Sequence, residues 1–100
     1  MNFIKRATLE AYWVRHAETE QPLREWFDTV RQANWTCMDD VRKTYVKAKP
    51  LNDERVRFEI CGGNYRLIVA FKFSARIAFV KFIGTHAEYD RIDALTVSLF

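Results

Sequence analysis

The spacing of the apolar residues changes near the middle of this 100-residue chain. In the first half, residues such as Leu23, Trp26 and Phe27 recur at the three- and four-residue spacing of an amphipathic helix. After residue 55, apolar and charged residues alternate one by one, as they do along a half-buried strand. The sequence therefore predicts an α+β fold in which N-terminal helices pack on a small antiparallel β-sheet.

The limits of the individual elements follow from caps, turns and periodicity. Pro22 suits the first turn of a helix, and Asp39 or Asp40 suits a helix cap. Pro50 biases the residue before it away from helix, which favours a loop. The predicted elements, in chain order, are an edge strand at residues 2–4, helices over about 5–17, from Pro22 onward and from Asp39 or Asp40 to Thr44, a loop over 47–53, and strands over 55–60, 65–73 and 76–83.

Two hairpin turns set the predicted register of the sheet. Adjacent glycines accept the positive φ angles of a tight hairpin turn, so Gly62 and Gly63 are the stronger turn signal. Ser74 and Ala75 are a weaker one. The resulting pairs are Ile60–Tyr65, Phe58–Leu67 and Val56–Val69 in the first hairpin, and Phe71–Ala78, Val69–Val80, Leu67–Phe82 and Arg66–Ile83 in the second.

In this register one face of the sheet is apolar and receives the helices. The other face is cationic, since five of its six charged residues are positive although the whole chain carries only +3. A solvated sheet surface often has this character, and a weakly basic net charge does not establish nucleic-acid binding. The residues predicted on this face are Arg55, Arg57, Glu59, Arg66, Lys72 and Lys81, with Ile68, Phe79 and Ile83 among them.

The segment after the last predicted strand carries the residues best suited to chemistry. Thr85 and Glu88 have the spacing of a helix capping box. In the short helix that would follow, His86 and Tyr89 lie three positions apart on one face. An imidazole beside a phenol suits general acid–base catalysis on a phosphodiester, although such a pair is more often a cap and a packing residue.

Composition limits the class of protein. One hundred residues with 49% hydrophobic content predict a single domain over residues 1–100. We expect no signal peptide, no membrane span and a cytoplasmic location, with Cys37 and Cys61 as reduced thiols. The two histidines stand 70 positions apart and the carboxylates are dispersed, so no metal and no cofactor are expected. Trp13 and Trp26 fall on the apolar helix stripes and are interpreted as core residues, and His16 as a helix-end residue.

Two motifs resemble those of HigB-type toxins in the RelE-like group. Residues 58–68, FEICGGNYRLI, are similar to a strand–turn–strand signature F-x-I-x-G-N-x-Y-R-L-I, in which Gly63 and Asn64 correspond to the Gly-Asn. This chain lacks the residue that usually separates that Asn from the Tyr. Residues 84–90, GTHAEYD, are similar to the family's closing motif G-T-H-x-E-Y-D. Element order and length fit over the whole chain, and the specific motifs lie within residues 56–92.

The resemblance implies a type II toxin with a RelE-like fold. Such a protein would be a metal-independent, ribosome-dependent messenger-RNA endoribonuclease that inhibits translation and is neutralised by a helix-turn-helix antitoxin of the HigA type. Arg66, His86 and Tyr89 correspond to catalytic positions, with the division into general base and general acid left open. Expected RNA-binding residues are Arg55, Arg57, Lys72, Phe79 and Lys81, and Asp90 is a candidate orienting residue.

Two other functions remain open at this point. One is an RNA- or protein-binding module that has the same fold and no catalytic activity. The other is a DNA-binding regulator, which is disfavoured because the sequence shows no helix-turn-helix pattern with a basic recognition helix.

Overall fold

The computed structural model of the chain describes residues 1–98, in which helices and strands follow the predicted order. The α-helices of this part are α1 (Arg6–Arg15), α2 (Glu20–Gln32), α3 (Met38–Thr44) and α4 (His86–Tyr89). Its β-strands are β1 (Asn2–Ile4), β2 (Lys49–Pro50), β3 (Arg55–Ile60), β4 (Tyr65–Lys72) and β5 (Ile77–Thr85). The predicted α+β class and the N-terminal position of the main helices are confirmed.

The five strands form one mixed sheet in the order β1-β5-β4-β3-β2. β1 runs parallel to β5 at one edge, and the other neighbouring strands are antiparallel. The predicted edge strand at residues 2–4 is confirmed, and it adds one parallel pair to the predicted antiparallel sheet. The predicted loop over 47–53 is partly wrong, because Lys49 and Pro50 pair with Arg57 and Val56. Pro50 is tolerated there because β2 is an edge strand.

The hydrophobic core lies between the helices and one face of the sheet. Leu9 from α1 and Leu23 from α2 are fully buried, and Trp13 and Trp26 are confirmed as core residues. The strands supply alternate residues to the same core, as a sheet with one covered face should. These strand residues are Val56, Phe58, Ile60, Tyr65, Leu67, Val69, Phe71, Ala78, Val80 and Ile83.

The β3–β4 hairpin has the predicted register, with Phe58 opposite Leu67. Gly62 and Gly63 have φ angles of 65° and 97°, the left-handed conformation that glycine adopts without a steric penalty. Asn64 donates its backbone N–H to the carbonyl of Cys61 at 3.3 Å and so closes the turn. Two adjacent glycines thus fix the pairing of both strands.

The β4–β5 hairpin follows the predicted register only up to a β-bulge. Val69 pairs with Val80 as predicted, but the next pair is Ile68 with Phe82. Lys81 is left as an extra residue on β5, which shifts everything after it by one position.

The bulge corrects the predicted faces of the sheet. Leu67 pairs with Ile83, and Arg66 pairs with Gly84 rather than with Ile83. Ile83 is 4% exposed and belongs to the core, so its predicted place on the charged face is wrong. Phe82 takes that place instead, because a one-residue shift moves each side chain to the other side of the sheet.

None of the helices in the described residues is long and apolar enough to cross a membrane. Cys37 is exposed and Cys61 half-buried, and both are free thiols.

Replacing Trp26 tests the position of the core. Its side chain is 2% exposed, and its indole N–H has no hydrogen-bond partner within residues 1–98. Trp26→Ala should therefore remove packing alone and lower the free energy of unfolding by about 3–5 kcal/mol, measured by urea denaturation. The matched control is Val14→Ala in α1. Because Val14 is 77% exposed, this substitution should change the free energy of unfolding by less than about 0.5 kcal/mol. Equal losses in the two variants would contradict this assignment of the core.

Candidate functional site

The candidate site lies on the face of the sheet that points away from α1 and α2, called here the second face. Three cross-strand rows build it from β3, β4 and β5. The rows, in the direction away from α4, are Glu59–Arg66–Gly84, Arg57–Ile68–Phe82 and Arg55–Ala70–Phe79.

The second face is partly covered by the chain that follows β5. The guanidinium of Arg55 donates through Nη1 to the carbonyls of Ala94 at 3.1 Å and Val97 at 2.7 Å. Ile68 and Phe82 are 0% and 2% exposed although they do not belong to the core beneath the helices. The predicted open cationic surface is therefore a small second core with charged residues around it.

Arg66 is the most buried charged residue among the described residues. Its side chain projects from β4 with a residue exposure of 9%, and its Nη1 donates to Oε1 of Glu59 at 2.7 Å. Its Nε is buried and has no hydrogen-bond partner in the described part of the chain. Leaving a buried guanidinium N–H without an acceptor costs free energy, so this position favours a further acceptor.

The predicted capping box after β5 is confirmed. Glu88 donates its backbone N–H to the hydroxyl of Thr85 at 3.1 Å, and its carboxylate accepts from the Thr85 N–H at 2.9 Å. Hydrogen bonds from the backbone N–H and from the side chain of Thr85 lower the pKa of the Glu88 carboxyl, the backbone bond most. The backbone N–H of His86 donates to the carbonyl of Asn64 at 3.0 Å. α4 is thereby fixed to the turn between β3 and β4.

His86 lies at the start of α4 and is solvent-accessible. Its Nδ1 is 3.0 Å from Oδ2 of Asp90, and the two side chains are 53% and 59% exposed. An exposed pair of this kind stabilises the fold little. It does orient the ring, because a carboxylate at Nδ1 favours a proton there and leaves the lone pair of the neutral ring on Nε2.

Tyr89 lies over the middle row of the second face. Its ring centroid is 6.4 Å from that of Phe82, and the guanidinium carbon of Arg57 is 5.9 Å from the ring centroid. Nε of Arg57 is buried and, like that of Arg66, lacks a hydrogen-bond partner within residues 1–98. Two arginines with free N–H groups thus lie in adjacent rows beside α4.

The other predicted RNA-binding residues lie farther along the sheet. Lys81, at the bulge, places its Nζ 5.5 Å from the ring centroid of Phe79. Lys72 is exposed at the end of β4, six residues from Arg66 and so roughly 20 Å away along the strand. The structure therefore gathers Arg57, Arg66 and Tyr89 near α4, and it does not bring Lys72 to them.

Sequence reasoning placed Glu59 on this face but gave it no role. The predicted register already set Glu59 opposite Arg66, and that pairing is the signal that identifies their contact.

The side of the sheet beneath the helices holds Tyr65 in place. The Tyr65 hydroxyl donates to the carboxylate of Glu18, which raises the pKa of Tyr65 to about 12. His16, at the end of α1, stacks on Tyr12 with ring centroids 4.2 Å apart and meets Tyr65 edge-on at 5.8 Å. These contacts anchor the first residue of β4, next to Arg66, to the helices.

A cavity of about 480 Å³ lies between α2, β3 and the loop after α3, and Glu59 of the candidate site contributes to its lining. Trp26, Tyr45 and Phe58 line it, whereas Arg66 and Tyr89 do not. Within residues 1–98, no group of three or more His, Cys, Asp and Glu side chains is arranged to hold a metal ion.

Comparison with known proteins gives one family. Residues 19–92 match the model of the HigB toxin family, described as the RelE-like toxic component of a toxin–antitoxin system. No match is found among curated proteins. The matched range includes every residue of the candidate site from Arg55 to Asp90.

Proposed function

Because the chain belongs to the HigB family of RelE-like toxins, the toxic components of toxin–antitoxin systems, we propose that it is a messenger-RNA endoribonuclease. It would cut messenger RNA on the ribosome without a metal ion and so inhibit translation in the cytoplasm. The observation that carries the proposal is the buried guanidinium of Arg66, whose Nε has no partner in the described residues, on the strand next to the one that leads into His86.

Arg66 is suited to bind the scissile phosphate. In the transition state of phosphodiester cleavage, negative charge grows on the phosphate oxygens. A planar guanidinium in a shielded place stabilises that charge more than one in water, because less solvent screens it. The guanidinium of Arg57, in the next row, would supply a second positive charge for the same backbone.

RNA supplies its own nucleophile for this reaction. The 2′-oxygen attacks the adjacent phosphorus, the bond to the 5′-oxygen breaks, and a 2′,3′-cyclic phosphate and a 5′-hydroxyl result. One proton leaves the 2′-hydroxyl and another is given to the departing 5′-oxygen, so two proton-transfer groups are needed. We assign them to His86 and Tyr89, with Asp90 orienting the His86 ring at 3.0 Å.

The remaining cationic residues would bind RNA on either side of the cut. Lys81 and Lys72 extend the positive charge along β5 and β4, and Phe79 offers a ring on which a base can stack. Arg55 would join them only after releasing the carbonyls of Ala94 and Val97.

A toxin of this family acts beside an antitoxin partner. We propose that the partner is a helix-turn-helix protein of the HigA type, which neutralises this chain. A neighbouring reading frame that encodes a helix-turn-helix protein would support this proposal.

Expression of this chain without a partner tests the proposal directly. Induction should arrest growth and create new 5′-hydroxyl ends in messenger RNA, mapped by sequencing of RNA ends. Co-expression with the antitoxin is the control and should restore growth. Normal growth with soluble protein and no new ends would count against an endoribonuclease and favour a binding module without catalytic activity.

Removal of divalent ions should leave the chemical step intact. If the chain also cuts ribosome-free RNA, that cleavage in EDTA should proceed within about threefold of the rate in magnesium, because the 2′-hydroxyl needs no metal to attack. A ribosomal assay needs a control for subunit dissociation, since ribosomes themselves require magnesium. Loss of cleavage that one divalent ion specifically restores would contradict the proposed mechanism.

Substitutions in the site should slow cleavage without unfolding the chain. Arg66→Ala should lower the single-turnover rate on programmed ribosomes about 10²- to 10³-fold, by analogy with the loss of an oxyanion donor. His86→Ala and Tyr89→Phe should each lower it by about 10²- to 10⁴-fold through the loss of a proton-transfer group. Combined variants should lose less than the sum of the separate free energies.

The matched control is Arg42→Ala, which removes an exposed arginine from α3 on the helix side of the molecule. It should cut RNA at the wild-type rate. If folded Arg66→Ala and His86→Ala did the same, the site would be elsewhere.

A further inference from the structure

The contact between Glu59 and Arg66 differs from the other ion pairs of the described residues. Its two side chains are 25% and 11% exposed at an N···O distance of 2.7 Å, whereas the side chains of the other pairs are at least 45% exposed. Exposed pairs contribute little to structure, but a shielded pair holds its partners in one geometry because breaking it would leave a buried charge.

The β3–β4 turn is shaped around the Glu59 carboxylate. A Cβ atom on Gly63 would lie 2.9 Å from Oε1 of Glu59 and 4.0 Å from Nη1 of Arg66. Gly63 also has a φ of 97°, which L side chains rarely adopt. The positive φ therefore favours glycine here, and a side chain in its place would displace the Glu59 carboxylate.

The hydrogen bond to Glu59 uses Nη1 of the Arg66 guanidinium and leaves Nε unpaired within residues 1–98. Nε is buried and has no partner among the described residues. Gly84, the cross-strand neighbour of Arg66 on the other side, carries no side chain that could accept from it. Glu59 thus holds one corner of the planar group and fixes where its remaining N–H groups point.

We propose that Glu59 is a positioning residue that holds Arg66 ready for the scissile phosphate. It acts through Arg66 and does not accept a proton from RNA. Fixing the guanidinium before RNA arrives removes the loss of side-chain freedom from the binding step. The claim that Arg66 binds the scissile phosphate rests on the proposed function, whereas the claim that Glu59 fixes the guanidinium does not.

Two substitutions separate the geometry of Glu59 from its charge. Glu59→Gln keeps the length and an oxygen that accepts from Nη1, but loses the charge. Glu59→Asp keeps the charge, but its carboxylate is one methylene too short to reach. A positioning role predicts that Glu59→Gln stays within about tenfold of the wild-type single-turnover rate, while Glu59→Asp falls about 10²-fold, the typical effect of a displacement of about 1 Å.

The same assays over a range of pH test the alternative of proton transfer. For a positioning residue, the shape of the pH–rate profile is the same in wild type, Glu59→Gln and Glu59→Asp. The opposite order of rates, with Glu59→Gln slower than Glu59→Asp and the acidic limb of its profile lost, would overturn the proposal and make Glu59 a general base. The matched control is Glu54→Gln, which removes an exposed carboxylate just before β3 and should leave the rate unchanged.

A spectroscopic readout keeps this test independent of catalysis. In the full chain without RNA, the Nε–H resonance of Arg66 should exchange slowly with water in wild type and Glu59→Gln, and faster in Glu59→Asp. Titration with inorganic phosphate should shift this resonance at lower concentration in the first two proteins. If the wild-type chain cut no RNA, the proposed function would fail, but this resonance would still test whether Glu59 positions Arg66. Equal exchange rates and equal phosphate titrations in wild type, Glu59→Gln and Glu59→Asp would overturn the positioning role.

Discussion

The need to shield and pair the charge of Arg66 organises one side of this molecule. A guanidinium that is 9% exposed needs a hydrogen-bond acceptor, and Glu59 provides one from the neighbouring strand at 2.7 Å. The carboxylate occupies the space beside Gly63, and Gly63 lies in the turn that pairs β3 with β4. The register of the hairpin and the geometry of the candidate site are therefore parts of one constraint. In the proposed function, the same burial strengthens the interaction of Arg66 with a phosphate.

The two faces of the sheet pack against different parts of the chain. One face packs on α1 and α2 and gives the fold its main core, while the second face carries a smaller core of Ile68 and Phe82. The bulge at Lys81 makes this division possible, because it sends Ile83 to the main core and Phe82 to the second face. Tyr89 then lies beside Phe82 in a helix that the capping box and Asn64 hold in place. Stable packing thus places the phenol of Tyr89 beside Arg57.

Local signals in the sequence predicted much of this arrangement, and interactions between distant parts of the chain account for the rest. Two glycines fixed the first hairpin and Thr85 with Glu88 fixed the start of α4, because each device acts within a few residues. No local sequence pattern marks the bulge, because its position depends on Ile83 packing in the main core and Phe82 packing on the second face. The hydrogen bonds of Arg55 to the segment after β5 were also not predicted, because backbone carbonyls accept them and every residue has such a carbonyl. The catalytic roles of Arg66, His86 and Tyr89 stay predictions.

The central claim is that this chain aligns a 2′-hydroxyl with the adjacent phosphate and that RNA itself makes the attack. The most direct test is single-turnover cleavage, on programmed ribosomes, of a messenger RNA with one 2′-deoxynucleotide immediately 5′ of a mapped cut. The account predicts that cleavage disappears at that position and continues at unmodified sites in the same molecule. Cleavage at the deoxy position at the unmodified rate would contradict it, because another nucleophile would then have to break the bond.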